Sequence, residues 1–202
     1  TNNSISNIVD NSRYVWIGTW KGLNLYDKQT CKIIPFPDTR LLDKGINYMA
    51  ADKEDNIWIG AGNTIYRCNS TASIAREYDI FGSQQNKHTI NFVYQDREGN
   101  MWVLTGGGLF KYDDKSDSFI TYPPLGKNNA PYTMCQDQSG NYWIGTWGEG
   151  LWQFFPQKEG EECYKRHHII NSRSGETEPI FYSMTQDNTF GYLWLLSYNE
   201  LY

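Results

Sequence analysis

The stretch DQSGNYWIGTWGEGL, Asp137–Leu151, sets an aspartate, a polar turn, a tryptophan six positions on, and an apolar run broken by glycine in that order. The order returns as DNSRYVWIGTWKGL from Asp10 (Trp16), DKEDNIWIGAGNTI from Asp52 (Trp58) and DREGNMWVLTGGGL from Asp96 (Trp102). It returns once more as DNTFGYLWLLSYNEL from Asp187, where Trp194 follows at seven. The tryptophans recur at intervals of 42, 44, 41 and 51 residues. A period of that length, rich in β-formers and turns, points to a radial β array.

The second copy shows the unit. Residues 46–51 form a short β-compatible run, 53–56 a polar turn, 57–60 a second strand, 61–63 another turn and 64–67 a third strand, with 74–80 supplying a fourth. Four short strands joined by tight turns make an antiparallel meander, and one meander per repeat is a propeller blade. The expected fold is therefore all-β: a β-propeller of four-stranded antiparallel blades, present as an incomplete arc of four full blades plus part of a fifth. The blades fall near 5–36, 46–80, 90–122, 131–169 and 180–202, in one partial propeller spanning 1–202. The last begins with strands at 180–184 and 192–196 and stops inside its third. Connections near 37–45, 82–89, 123–130 and 170–179 read as loops, and no segment keeps a helical period. An unclosed arc exposes strand edges, which predicts pairing with another copy, or strain and poor solubility.

Within the unit, each repeated tryptophan (Trp16, Trp58, Trp102, Trp143, Trp194) is expected to fill the wedge between neighbouring blades. Each aspartate (Asp10, Asp52, Asp96, Asp137, Asp187) is expected to cap the following turn by accepting backbone N–H bonds. Gly18, Gly60 and Gly145 stand where backbones approach closely.

Composition narrows the function classes. The net charge is −5 and no run of Lys or Arg occurs, which disfavours a nucleic-acid interface. No apolar stretch reaches the roughly 20 residues of a membrane helix, and the opening TNNSISNIVD is not a secretory signal. The four cysteines, Cys31, Cys68, Cys135 and Cys163, form no CxxC pair and read as buried small hydrophobes in strands.

The pattern D-x-x-G-N-x-W-[IV]-G-T-x-x-G-[GL]-L…Y, met best at Asp96–Tyr112 and Asp137–Leu151, resembles the two-component regulator propeller repeat. Copy two departs from it at Ala61-Gly62-Asn63 and copy five at Leu195-Leu196-Ser197. Sialidase Asp-boxes space Asp and Trp five apart, and a WD40 repeat needs Gly-His and Trp-Asp signatures; neither fits. The resemblance implies the periplasmic sensor region of an inner-membrane hybrid two-component system, of the kind that controls polysaccharide use in gut anaerobes. It further implies that such sensors self-associate as homodimers, that the kinase lies outside this segment, and that this segment touches no membrane itself.

Chemistry on a propeller is grafted onto loops. Four residues past the core tryptophan, copies one, four and five place Trp20, Trp147 and Tyr198, where copies two and three place glycine. Rings beside Lys21, Glu149 or Asn199 suit an oligosaccharide, whose apolar faces lie on aromatics while its hydroxyls meet polar tips. Trp20, Lys21, Trp147, Glu149 and Tyr198 are the candidate ligand-binding rim; alternatively, these rings pack over neighbouring blades. No GxSxG, HExxH or P-loop string occurs. His88 falls in a loop, His167 and His168 in an outer strand, and Asp113, Asp114, Asp117 and Glu159–Glu162 in solvated turns. The sequence thus predicts no catalytic residue, no metal and no cofactor. A sensing module is the first reading, a protein-binding scaffold the second, a propeller glycosidase or lyase the third.

Overall fold

The computed structural model describes residues 4–82, 88–126, 130–187, 189–198 and 200–202. Parts of the connections expected at 82–89 and 123–130, and Asn199, lie outside the described residues. The first sheet is built from β1 (Ile5–Asp10), β2 (Tyr14–Thr19), β3 (Gly22–Asp27) and β4 (Lys32–Pro35), and the second from β5 (Ile46–Ala51), β6 (Ile57–Ala61), β7 (Thr64–Cys68) and β8 (Ile74–Tyr78). The third holds β9 (Ile90–Gln95), β10 (Met101–Thr105), β11 (Gly108–Asp113) and β12 (Ser118–Thr121). The fourth holds β13 (Pro131–Gln136), β14 (Tyr142–Thr146), β15 (Leu151–Phe154) and β16 (Tyr164–His167). A two-stranded fifth pairs β17 (Ser183–Gln186) with β18 (Leu193–Leu196). In every sheet the strands lie side by side in chain order, the arrangement of a propeller blade. The chain forms two compact units, residues 1–103 with 111–120 and residues 104–110 with 121–202.

Helical structure enters only as two 3-10 turns, Thr39–Leu41 and Gly160–Cys163, which the period analysis did not foresee. A single turn is too short to show a period; Asp38 starts the first by accepting the Arg40 N–H at 2.9 Å. In the fifth sheet the first strand begins three residues later than expected. Its third is reduced to one bridge, Leu196 with Leu201.

The repeated residues act as a linked set. In the second, third and fourth copies the indole N–H donates to the aspartate six residues before it: Trp58 to Asp52 at 2.8 Å, Trp102 to Asp96 at 2.8 Å, Trp143 to Asp137 at 2.9 Å. The same carboxylates accept the backbone N–H of Asn56, Asn100 and Asn141 at 2.7–2.9 Å. One side chain thus shapes the turn and satisfies a buried indole, whose N–H would otherwise be left unpaired. The wedge role is visible at Trp58, whose ring lies 5.8 Å from Tyr78 of its own sheet and 4.8 and 6.3 Å from Tyr112 and Phe119 of the next.

Two copies depart from this. In the first, Asp10 points outward to Lys28 at 2.9 Å and does not cap the turn. Asn11 does so instead, accepting the N–H groups of Arg13 and Tyr14. Trp16 is fully buried with Nε1 unpartnered. In the fifth, Asp187 still caps its turn through Thr189 and Phe190, but Trp194 is 40% exposed, covered by no further sheet among the described residues.

The glycines of the repeat lie inside the second strand, where the next sheet arrives. A Cβ on Gly18 would stand 2.7 Å from Ile46 Cγ2, on Gly60 2.5 Å from Ile90 Cγ2, and on Gly145 2.9 Å from Phe181 Cβ. All four cysteines are free. Cys68, Cys135 and Cys163 are buried, but Cys31 is exposed in the β3–β4 turn at φ 55° and is no core residue. The tight turn fixes its position, and the left-handed backbone aims its side chain outward.

Three outcomes follow for stability. Asp96→Ala strands the buried Trp102 N–H and the Asn100 N–H and should cost at least about 2 kcal/mol in urea unfolding. Asp10→Ala, at a solvated carboxylate, should stay within about 0.5 kcal/mol. Gly60→Ala forces Ile90 aside and should cost about 1–3 kcal/mol in the same measurement.

Candidate functional site

In the first, third and fourth sheets the second-to-third-strand turn is shaped by the threonine that ends the second strand. The Thr19 hydroxyl donates to the Gly22 carbonyl at 2.8 Å and accepts the Lys21 N–H at 3.1 Å. Thr105 does the same with Gly108 and Gly107, and Thr146 with Gly150 and Glu149. The backbone of the turn is therefore held by hydroxyl bonds, and Trp20 and Trp147, just after the threonine, add backbone N–H bonds to the Ser4 and Ala130 carbonyls while their side chains stay free to vary.

In the unit ending at Tyr202 that freedom is used for aromatic rings. Trp147 is 50% exposed and lies 5.6 Å from Tyr132 and 5.2 Å from Tyr182. Tyr182 in turn lies 6.2 Å from Tyr198, which is 74% exposed. Tyr132, Trp147, Tyr182 and Tyr198 form a continuous row crossing the fourth and fifth sheets. Burial raises the Tyr182 hydroxyl above its ordinary value, and the neighbouring Tyr198, Tyr132 and Glu178 add to the shift.

Tyr132 and Tyr182 were not among the candidates read from sequence. Tyr132 sits on the β-bulge of its first strand, between Pro131 and Thr133, at the position Asn47 holds between Ile46 and Tyr48. Asn47 accepts the Gly62 N–H at 2.8 Å. Where the turn offers glycine (Gly62, Gly106), the aligned first-strand residue is asparagine (Asn47, Asn91); in the fourth and fifth copies, where it offers a ring (Trp147, Tyr198), that residue is tyrosine, while the first copy sets Trp20 with Ser6. This matched exchange was the signal available in the sequence.

The remaining candidates fare differently. Glu149 is buried, its carboxylate packed against Gly126, and so does not stand on an open rim. Lys21 is solvated, 3.9 Å from Asp43. Trp20 is 56% exposed and walls a cleft of about 360 Å³ with Lys44, Asn47, Asn63, Thr64 and Thr89. A second buried carboxylate, Glu178, accepts from Asn171 Nδ2 at 3.2 Å and from the Tyr202 hydroxyl at 3.4 Å.

Titratable groups elsewhere are structural. Asp117 lies in an exposed turn, as expected, yet it also joins two sheets: the Tyr78 and Tyr112 hydroxyls donate to it at 2.7 and 2.8 Å and Arg76 Nε at 3.0 Å. These donors hold its carboxyl down to about 2. His167 lies at 5.0 Å from the Trp143 ring and 3.3 Å from Gln153 Oε1, with burial lowering its pKa. Among the described residues no group of His, Cys, Asp and Glu is arranged to hold a metal ion.

Residues 125–148 match the family model of the two component regulator propeller, and the chain carries that repeat. No curated protein matches the chain. Among solved structures, the extracellular domain of BT4673 from B. thetaiotaomicron, described both as a hybrid two component and as a one component system, is 22% identical with a TM-score of 0.81. That of BT3049 from the same organism, described as a hybrid two component system, is 23% identical with a TM-score of 0.76. The matches cover 99% and 98% of this chain and 27% of each of those chains, so the chain spans about a quarter of their length. Virginiamycin B lyase from Staphylococcus aureus is 15% identical at a TM-score of 0.72, covering 98% of this chain and 64% of that one. At these identities the likeness establishes the fold.

The depressed Asp117 carboxyl has a pH consequence. Its folded pKa lies below the ordinary value near 3.8, so its stabilisation is complete above that value and is lost as pH falls from about 4 to about 2. Asp117→Asn should lower the thermal midpoint at pH 7, and the difference from the unaltered chain should vanish near pH 2.

Proposed function

We propose that the chain is part of the extracytoplasmic, periplasmic ligand-sensing region of a membrane-bound hybrid two-component sensor kinase, and that it takes an oligosaccharide on its exposed rings. The observation that carries this reading is the row Tyr132–Trp147–Tyr182–Tyr198, supported by the repeat at 125–148 and by the extracellular domains that share the fold. Sugar faces stack on such rings while tyrosine hydroxyls bond the sugar hydroxyls. The Trp20 cleft pairs an indole wall with the amides of Asn47 and Asn63, the same chemistry on a smaller scale.

Binding occurs without turnover. The carboxylates nearest the row, Glu149 and Glu178, are buried in packing and hydrogen bonds instead of facing a substrate across it. In the intact receptor, a homodimer, the ligand favours one arrangement of the two sensor chains, and the kinase reads that shift to regulate polysaccharide-utilisation genes. A scaffold that docks another protein is the second reading, favoured by apolar faces left open on the first and fifth sheets.

Calorimetric titration against a panel of oligosaccharides tests the reading. Trp147→Ala should weaken binding about tenfold, or ~1.4 kcal/mol, and Trp20→Ala should weaken it if the cleft contributes. Unchanged affinity in both variants, or release of shortened products, would overturn the assignment.

A further inference from the structure

The Trp20 cleft differs from the row of rings in charge and in the sense of its hydrogen bonds. Its indole wall lies along the backbone of Gly45, where a Cβ would stand 3.7 Å from the ring atom Cε3. Two amide side chains line the same space, and the oxygen of each is already engaged. Asn47 Oδ1 accepts the Gly62 N–H at 2.8 Å, and Asn63 Oδ1 accepts the Thr64 hydroxyl at 3.3 Å. A backbone N–H can only donate, so the Gly62 bond fixes which end of Asn47 is oxygen. What both amides have left is the NH2 group, and among the described residues neither donates to another protein group.

Lys44 supplies a charge. Its ammonium donates to the hydroxyl of Tyr66, a residue with no exposed surface, and that hydroxyl donates in turn to Glu77 Oε1 at 3.3 Å. The buried phenol positions the ammonium and occupies one of its three N–H groups, leaving two. Nearby carboxylates are engaged elsewhere: Asp43 lies 3.9 Å from Lys21, Asp38 pairs with Arg40 at 2.6 Å, and Glu77 lies 4.0 Å from Arg40. Among the described residues no Asp or Glu lines the cleft. The charged groups nearest the row, by contrast, are the carboxylates Glu149 and Glu178.

An aromatic wall, amide donors and a cation, with no carboxylate, form a set that recognises an anionic group carried on a sugar ring. We infer that the Trp20 cleft selects an acidic saccharide, whose carboxylate or sulfate meets Lys44 and the Asn47 and Asn63 amides while a sugar face lies on Trp20. This rests on the saccharide reading above and narrows its ligand class. A neutral sugar fits the same space but brings no counter-charge to the ammonium, and so binds less tightly. With a net charge of −5 on the chain, the preference is local to the cleft.

Glycans arrayed in matched pairs test this: uronic-acid oligosaccharides beside their methyl esters, and sulfated oligosaccharides beside their desulfated forms. The chain should hold the acidic members about tenfold more tightly than their neutral partners. The set of pairs that shows the preference tells carboxylate from sulfate. Lys44→Met keeps the length of the side chain, removes its charge and should abolish the preference. Lys32→Met, at an exposed lysine of β4 outside the cleft, should not. Raising salt from about 0.05 to about 0.5 M should weaken the acidic members and spare the neutral ones in the unaltered chain, a measurement that needs no variant. Equal binding of neutral and acidic members, or a preference that survives Lys44→Met, would overturn the inference and leave the saccharide reading standing. Binding of no glycan would overturn both.

Discussion

The bond from a buried indole N–H to the carboxylate six residues earlier joins two requirements that would otherwise compete. A tryptophan is the largest apolar filler for the gap between two twisted sheets, but its N–H must find an acceptor once water is excluded. The aspartate already sits at the turn to cap it, so a single side chain serves both. The first copy shows which requirement dominates. With Asp10 turned to Lys28 the turn is capped by Asn11 and the indole of Trp16 goes unbonded, yet the ring stays fully buried. Filling the gap is obligatory; the polar bond improves a contact that packing already enforces.

That hierarchy explains how much of the fold was legible. Ring spacing, turn residues and the glycine after three of the rings all answer to sheet-on-sheet packing, so five copies were readable without any contact information. What failed was local. Cys31 resembles a strand residue in composition, but it closes the four-residue turn between Asp27 and Lys32, and its φ of 55° puts it outside. Asp117 reads as one more charge in a polar loop. Its backbone at φ 47° instead brings the carboxylate between Tyr78 of one sheet and Tyr112 of the next, contacts separated by 39 and 5 residues in sequence. Long-range partners of single polar groups leave no periodic trace.

The candidate site was half legible for a related reason. Trp20, Trp147 and Tyr198 stood out because they interrupt a position that glycine holds elsewhere, and all three are exposed. Tyr132 and Tyr182 were hidden inside apolar strand segments, where a tyrosine is unremarkable by composition. The bulge between Pro131 and Thr133 breaks the alternation of the strand and places Tyr132 beside the turn instead of in the core. Glu149 misled in the opposite direction, since a glutamate flanked by glycines reads as solvent-facing. The extra residue of that turn folds its side chain in against Gly126.

The same geometry separates what can vary from what cannot. Threonine hydroxyls hold three of the turns, the backbone N–H groups of Trp20 and Trp147 bond to neighbouring carbonyls whatever the side chain, and the bulge residue Tyr132 meets the rings of Trp147 and Tyr182. Glycine with asparagine and aromatic with tyrosine are two solutions to the same local contact: one closes the turn with an amide bond, the other covers it with a ring. Neither touches the indole wedge or the glycine approach beneath. A recognition surface can therefore be changed two residues at a time while the packing that makes the sheets stack is left alone, which is what a scaffold needs if related chains are to meet different ligands.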